Sequence, residues 1–307
     1  MTNRNTLTSF FKQSKKEQDR QKILIFDMHN LVFRTLFVAA FAAKKQLMSD
    51  EELWEYWRYL MINSLFNSIR YNQPNRVIIA VDAPNSWRKD LYKEYKANRK
   101  AARDNAVVDF DAFWPILDDF IEQLRVTFKN IYILKLDKCE ADDIIAVIVK
   151  KESGDDTSIT VISSDKDMVQ LMKHPNVELF DPIKRKVVKS ISPERDLQIK
   201  IIAGDKSDNI PSIKKRCAER TALKMLNEGL DIHLADPDVK ANYERNTELI
   251  DFDCIPQDII KRIDDVYTNY QLEKIDGMGV LMFLGRNNIK QFAENIEQYM
   301  PSLRQLS

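Results

Sequence analysis

Three short apolar runs in this chain are each followed closely by an aspartate. The runs Lys22–Phe26, Arg76–Val81 and Ser158–Ile162 lead to Asp27, Asp82 and Asp165 respectively. A continuous apolar run of this length is typical of a strand covered on both faces of a parallel sheet. Because ligands of such sheets bind beyond the carboxyl ends of the strands, we expect the three acids to lie close together.

The rest of the pattern alternates between strands and helices. Further strands are predicted at Ile131–Leu134 and Val177–Phe180, a long helical region over Leu31–Asn72, and a helix after Glu140. This alternation predicts an α/β fold with a mostly parallel central sheet flanked by helices.

Strands are not predicted beyond about residue 190. The clearest helical segments there are 199–203, 218–227, 258–270 and 289–299. We therefore expect a tail over 1–21, an α/β domain over 22–190 and a smaller all-helical domain over 191–307.

Composition excludes several classes of site. Six glycines, without a G-x-G-x-x-G or Walker sequence, argue against a phosphate-cradling loop. Three widely spaced cysteines predict neither a disulfide framework nor a zinc site, and they suit a reducing compartment. The net charge is zero, so any attraction for nucleic acid must come from local patches. No signal peptide is recognisable, and the most apolar helical run, Leu31–Ala43, is too short to span a membrane.

A set of carboxylates at strand ends and helix starts forms the candidate metal site. Its members are Asp27, Asp82, Glu140, Asp142, Asp143, Asp165, Asp167, Asp205 and Asp208. Buried carboxylates are costly unless they are paired or bound to a metal, and oxygen-only ligands select Mg²⁺ or Mn²⁺ over zinc. The set is larger than one ion needs, which indicates two ions or one ion with an outer shell.

Two smaller features belong to this hypothesis. Asp205 and Asp208 are three residues apart, so one helical turn would direct both to the same side. His29 is the one histidine expected near the site, in an outer or incidental position.

A basic segment lies between the second and third strands. Residues 84–103 contain seven basic and two acidic side chains, with Trp87, Tyr92 and Tyr95 interleaved. A solvated helix face is one interpretation; a nucleic-acid grip is the other, since bases stack on aromatic rings and phosphates pair with cations. The candidate contacts are Arg88, Lys89, Lys93, Tyr95, Lys96, Arg99, Lys100, Arg103, and farther along Lys214, Lys215 and Arg216.

The N-terminal tail carries one apolar group, formed by Leu7, Phe10 and Phe11. One interpretation is a staple that packs on the protein's own body. The other is a docking peptide, because the spacing is similar to the sliding-clamp-binding motif, although Arg4 stands where that motif has glutamine.

Three motifs together resemble the flap endonuclease/5′-exonuclease family, whose fold is PIN-like. Glu140-Ala141-Asp142-Asp143, Ser164-Asp165-Lys166-Asp167 and Gly204-Asp205-Lys206-Ser207-Asp208-Asn209 occur in that family's order. Tyr95–Arg99 resembles its basic helical arch, here placed at 84–109. The resemblance implies Lys96 and Arg99 as catalytic contacts to the reacting phosphate.

The same resemblance implies an activity and a setting. The activity is 5′-to-3′ exonuclease, flap endonuclease and ribonuclease H cleavage of RNA–DNA hybrids, duplex DNA and flap DNA, leading to RNA primer removal in phage replication. The implied cofactor is Mg²⁺, with two ions and Mn²⁺ as a substitute. The implied partners are a sliding clamp and a single-strand DNA-binding protein, for a monomer in the cytoplasm of the host cell.

Our hypothesis divides the acids between two ions. Asp27, Asp82, Asp142 and Asp165 would hold one ion, with Glu140 in its inner or outer shell, and Asp167, Asp205 and Asp208 the second. The chain departs from cellular members after Asn209, where their glycine-rich helix–hairpin–helix is missing. The rival hypotheses are a haloacid-dehalogenase-like phosphatase, which would need an acid where His29 stands, and a non-catalytic DNA-binding adaptor.

Overall fold

The computed structural model describes residues 20–99 and 108–306. The tail group Leu7, Phe10 and Phe11, and the basic residues Lys100 and Arg103, lie outside the described residues. In the part that is described, no helix is long and apolar enough to cross a membrane.

A six-stranded sheet with the order β3-β2-β1-β4-β5-β6 organises the chain. Its strands are β1 Gln21–Asp27, β2 Arg76–Val81, β3 Tyr132–Lys135, β4 Thr157–Ile162, β5 Val177–Asp181 and β6 Lys186–Val187. The first five are parallel, and β6 pairs antiparallel with β5. The mostly parallel sheet is confirmed, and β6 is a short edge strand that the sequence pattern did not predict.

Helices flank the sheet and form most of the second half. They are α1 Met28–Gln46, α2 Asp50–Asn72, α3 Arg88–Leu91, α4 Phe110–Thr127, α5 Ala141–Glu152, α6 Pro193–Ala203, α7 Glu219–Glu228, α8 Leu230–Leu234, α9 Pro237–Ile250, α10 Gln257–Thr268, α11 Gly277–Arg286, α12 Lys290–Glu294 and α13 Met300–Arg304. Short 3-10 helices cover Lys166–Lys173, Phe252–Cys254 and Ile296–Gln298.

Two predicted helices are interrupted. The long region over Leu31–Asn72 divides at Leu47, which adopts a left-handed conformation with φ of 55°, and Ser49 then caps α2 with a reciprocal bond to Glu52. The predicted helix over 289–299 is only the short α12 followed by a 3-10 turn. In the first case the left-handed residue and the capping box override the apolar periodicity.

Both faces of the sheet are buried, as the continuous apolar runs predicted. On one face Trp57 packs edge-on to Phe113 with ring centroids 4.9 Å apart, and Phe283 of α11 packs against Phe128 in the same cluster. On the other face α5 packs against α10 through residues such as Ile263. Parallel sheets require this cover on both sides.

The described residues after 251 therefore share the hydrophobic clusters of the sheet. Two smaller clusters lie among α6, α7 and α9, where Ile201, Ile202, Ala222 and Leu249 are buried. One of these two clusters also includes Tyr95 of the basic segment. The division at residue 190 stays a prediction.

Candidate metal centre

The first carboxylates of the site occupy the carboxyl edge of the sheet where the strand order changes direction. Asp27 ends β1 and caps α1: it accepts a hydrogen bond from the backbone N–H of Asn30 at 3.0 Å and another from Ser163 at 3.0 Å. Asp82 follows β2 and accepts from the N–H of Ala141 at 2.6 Å. A switch point of this kind is where open α/β sheets bind ligands.

Asp142 and Asp165 complete a first acidic group with Asp27 and Asp82. Burial and the neighbouring Asp82 carboxylate raise the pKa of Asp27 to about 7. Burial, followed by Asp165 and Asp27, raises the pKa of Asp142 well above its ordinary value. Burial also raises the pKa of Asp165, although Lys200 opposes the shift. These carboxylates lie close enough to repel one another, and a bound divalent cation would relieve this repulsion.

A second acidic group contains Asp167, Asp205 and Asp208. Each offers a carboxylate oxygen, and the three oxygens lie within 4.8 Å of one another. Lys200, on the last turn of α6, pairs with Asp167 and lies 2.7 Å from Asp205. Burial opposes ionisation of Asp205, but Lys200 outweighs it and holds the pKa of this carboxyl at about 2.

The turn that carries Asp205 and Asp208 depends on Gly204. Asp205 and Ile210 exchange backbone hydrogen bonds of 2.9 and 2.7 Å, so the segment is a tight loop and the predicted helical turn is wrong. Gly204 has φ of 71° and ψ of −177°, and a Cβ at this position would lie 2.5 Å from the carbonyl oxygen of Ile210. Only glycine adopts this conformation readily, and the close approach excludes any side chain.

Glu140 and Asp143 begin α5 and have different surroundings. They form a capping box, in which the N–H of Glu140 donates to Asp143 at 2.9 Å. Asp143 is fully buried, accepts from the indole N–H of Trp87 at 3.1 Å and pairs with Arg88 at 2.8 Å. Its predicted role as a metal ligand is corrected, because this carboxylate faces Trp87 and Arg88 and anchors them to the start of α5.

The basic segment turns inward at two of its predicted nucleic-acid contacts. Arg88 is 2% exposed, and its guanidinium lies 3.0 Å from Glu140. Tyr95 is 3% exposed, and its hydroxyl bonds to Glu140 at 2.9 Å and Asp208 at 3.1 Å. The predicted phosphate contact of Arg88 and base stacking on Tyr95 are therefore corrected, since both side chains are internal partners of carboxylates.

Lys96 and Arg99 reach the acidic site from this segment. Lys96 pairs with Glu140 and lies 3.7 Å from Asp208, and Arg99 lies 2.5 Å from Asp208. Burial opposes ionisation of Glu140, but Lys96 and Arg88 outweigh it and hold its pKa at about 2. Lys96 and Arg99 therefore both contact carboxylates of the site, and the side chain of Arg99 is about half exposed.

The other described cations of the predicted nucleic-acid surface are exposed. They are Lys89, Lys93, Lys214, Lys215 and Arg216. The last three occupy the loop between α6 and α7. They follow the Gly204 turn and are therefore close in sequence to Asp205 and Asp208.

Sequence reasoning missed three residues that organise the site. Lys200 bridges two acids of the second group, Ser163 donates to Asp27, and the side-chain oxygen of Asn30 accepts from the N–H of Ser164 at 3.1 Å. The sequence predicts His29 near the site, and in the structure its Nδ1 lies 3.1 Å from Asp82. A helical cation one turn before the Gly-Asp motif is a usable signal for Lys200, whereas the serine and asparagine pattern is too common to read.

Comparison with known proteins decides the family. The model of the 5′-3′ exonuclease N-terminal resolvase-like domain matches residues 22–206. The chain belongs to the 5′-3′ exonuclease family. This membership identifies it as a nuclease, which decides against the phosphatase and the non-catalytic adaptor.

The alignment with this 5′-3′ exonuclease family member covers different shares of its relatives. The ribonuclease H of Enterobacteria phage T4 is 34% identical over 239 residues, which are 70% of this chain and 78% of that protein. DNA polymerase I of Streptococcus pneumoniae is 28% identical over 225 residues, 68% of this chain but 24% of the polymerase. The chain thus spans about a quarter of that polymerase relative.

Solved structures share the fold. The phage T5 5′-exonuclease with bound zinc ions has a TM-score of 0.63 at 21% identity, covering 82% of this chain and 100% of that one. A phage T5 flap endonuclease variant in a complex with DNA and metal ions has a TM-score of 0.61 at 23% identity, covering 81% and 98%. The PIN-like 5′-nuclease fold expected from the motifs is confirmed.

Proposed function

We propose that this chain is a magnesium-dependent 5′-to-3′ exonuclease and flap endonuclease with ribonuclease H activity. Its substrates are RNA–DNA hybrids, duplex DNA and flap DNA, and its task is the removal of RNA primers from lagging-strand fragments in phage DNA replication. The observation that carries the proposal is the meeting of two acidic groups at one sheet edge with Lys96 and Arg99 beside them.

The residues present fit two divalent ions. Asp27, Asp82, Asp142 and Asp165 would hold one, because burial and the neighbouring carboxylates raise the pKa values of Asp27, Asp142 and Asp165, and Asp82 lies beside Asp27. Asp167, Asp205 and Asp208 would hold the other, because their oxygens already converge. Hard carboxylate oxygens favour Mg²⁺, with Mn²⁺ as a substitute. When bound, such ions polarise phosphate oxygens and lower the pKa of water, which is the chemistry that phosphodiester hydrolysis needs.

The protein's own cations would act on the substrate phosphate. Lys96 pairs with Glu140 and Arg99 pairs with Asp208, so both cations lie at the edge of the acidic site. From there they would stabilise charge that develops on the scissile phosphate. Arg88 stays internal and keeps Glu140 ionised, since its guanidinium is buried between two carboxylates.

Binding of the duplex is assigned to the exposed cations. Lys89, Lys93, Lys214, Lys215 and Arg216, with Lys100 and Arg103 beyond the described residues, would contact phosphates without reading sequence. Because the net charge of the chain is zero, this binding depends on local patches and falls steeply with added salt.

The proposed partners follow from the family and the tail. A sliding clamp would bind Leu7, Phe10 and Phe11, and a single-strand DNA-binding protein would contact the helical second half. The setting is the host-cell cytoplasm, and the protein would act as a monomer.

The test uses a 5′-labelled RNA–DNA hybrid and a flap substrate, each with and without Mg²⁺. We expect metal-dependent short products from both, and loss of cleavage with retained DNA binding in the Asp165→Asn variant. Asp155→Asn, at an exposed acid remote from the cluster, is the matched control and should cleave normally. Cleavage that persists in EDTA, or in Asp165→Asn, would refute the assignment.

A further inference from the structure

An apolar groove lies between α5, the 3-10 helix Lys166–Lys173 and α10. Ala146, Val147, Leu171, Phe252, Ile255 and Ile260 form its apolar lining, and its volume is about 170 Å³. A dry cavity of about 150 Å³ lined by similar side chains binds a benzene ring, so this groove has room for an aromatic side chain.

The charged residues at the rim are already paired with each other. Lys173 lies 2.5 Å and Lys150 3.5 Å from Asp253, and Lys151 pairs with Asp264. Burial also lowers the pKa of His174, which favours its neutral form. The groove therefore suits an apolar occupant better than an ion or a phosphate.

The groove is lined by the C-terminal half of α5, which is the half away from the metal centre. Helix α5 starts beside Asp82 and ends at Glu152, which pairs with Arg76 at the first residue of β2. The six steps from Ala146 to Glu152 cover about 9 Å along the helix, so the groove is close to the amino ends of the strands.

Strand β1, to which the N-terminal tail is joined, starts at the same place. The N–H of Gln21, the first residue of β1, donates to the carbonyl of Asp156 at 2.8 Å. Asn176, just beyond the 3-10 helix, bonds to Thr157 at 2.8 Å. Helix α5 and the 3-10 helix, two walls of the groove, therefore both end near Asp156 and Thr157, the segment that pairs with the start of β1.

The tail contains an occupant of the right chemistry and reach. Apart from Met1, its apolar residues within 1–19 are Leu7, Phe10 and Phe11. Gln21 is ten residues after Phe11 in the sequence, and an extended chain of that length spans at most about 35 Å. Lys151 at the rim of the groove is five residues before Asp156, which bonds to Gln21, so the groove begins within this reach.

We propose that Leu7, Phe10 and Phe11 dock in this groove in the free protein, with a phenylalanine ring inside it. The docked segment covers apolar surface of α5 and α10 and gains hydrophobic stabilisation from doing so. It is then withheld from any other partner, including the clamp proposed above. The docking itself does not depend on the nuclease activity.

Photo-cross-linking in the full chain tests the docking. With p-benzoylphenylalanine in place of Phe11, illumination should give cross-links within one chain to residues 146–151, 171–174 or 252–260, located by peptide mass spectrometry. The same probe in place of Ser14 is the control from the polar part of the tail and should cross-link to these residues severalfold less.

Two variants separate docking from loss of fold. Ile260→Glu, at a half-buried groove position, should reduce the cross-links severalfold without changing Mg²⁺-dependent cleavage. Phe10→Ala leaves the folded body untouched and should reduce them as well. Cross-links to other surfaces, cross-links only between two chains, or a yield unchanged in both variants would overturn the proposal. Absent cleavage with intact cross-links would instead count against the proposed function alone.

Discussion

Lys96 donates a hydrogen bond from Nζ to Oε1 of Glu140, so a cation of the basic segment lies at the carboxylate cluster. Lys96 also has φ of 56°, and its N–H donates to the carbonyl of Asp208 at 2.9 Å, which fixes the turn that presents it. The basic segment and the second acidic group are thus one connected structure.

Replacing both Lys96 and Arg99 by alanine should reduce kcat by about 100-fold or more, because fixed cations act on charge that develops in the transition state. DNA affinity should change much less. Single-turnover cleavage and a binding titration measure the two effects separately.

Lys93→Ala is the matched comparison from the same segment, since Lys93 is exposed. It should weaken binding and reduce the slope of log affinity against log salt by about 1 while leaving kcat nearly unchanged. If the double variant loses affinity rather than kcat, Lys96 and Arg99 are docking charges.

Arg88→Met should lower the free energy of unfolding by about 3–5 kcal/mol, because it leaves the buried carboxylate of Asp143 without its cation and Glu140 with Lys96 alone. Urea denaturation at pH 7 measures the change. Lys89→Met, at the exposed neighbouring position, should stay within about 0.5 kcal/mol of the wild type. Equal effects at both positions would contradict the internal role of Arg88.

Asp27→Asn should stabilise the metal-free protein at pH 8 by roughly 1–4 kcal/mol. The pKa of Asp27 is raised to about 7 by burial and Asp82, so its favourable contribution is present at low pH and is lost as the pH rises from about 4 through 7. In EDTA, the free energy of unfolding should fall more steeply with rising pH across this range for the wild type than for Asp27→Asn. Parallel profiles would show that Asp27 does not titrate with this shift.

The contribution of Glu140 to stability should have the opposite pH dependence. Burial opposes its ionisation, but Lys96 and Arg88 hold its pKa at about 2, below the ordinary value of 4.5. Its stabilising contribution is therefore complete above about pH 4.5 and is lost as the pH falls towards 2. Glu140→Gln should reduce the loss of stability over that acid range, as measured by thermal unfolding; an unchanged acid limb would contradict the depressed pKa.

Gly204→Ala should destabilise the protein by at least about 1–3 kcal/mol, because its backbone conformation is nearly restricted to glycine and a Cβ would meet the Ile210 carbonyl. It should also weaken divalent-metal binding, measured by calorimetry, by displacing Asp205 and Asp208. Gly285→Ala in α11 is the control: its Cβ meets nothing within 4 Å, and helix propensity predicts a gain of up to about 1 kcal/mol. Normal metal affinity in Gly204→Ala would separate this turn from the site.

Much of the fold and most of the carboxylates follow from the sequence. Continuous apolar runs determine the five parallel strands, because burial on both faces leaves no polar alternation, and the acids that follow those strands meet since parallel carboxyl ends share an edge. Gly204 and the acids around it are likewise a local pattern, although the turn that they form is not helical.

Only the tertiary structure decides which charges face each other. Arg88 and Tyr95 have the sequence context of surface residues, yet each contacts Glu140 from about 50 residues away and is buried. Lys200 is close to Asp205 in the sequence, but its pairing with Asp167 joins two separate segments and depends on the fold. Burying a charge depends on a partner brought from a distant segment, so composition and spacing identify the acids, while the folded chain selects the cations that balance them.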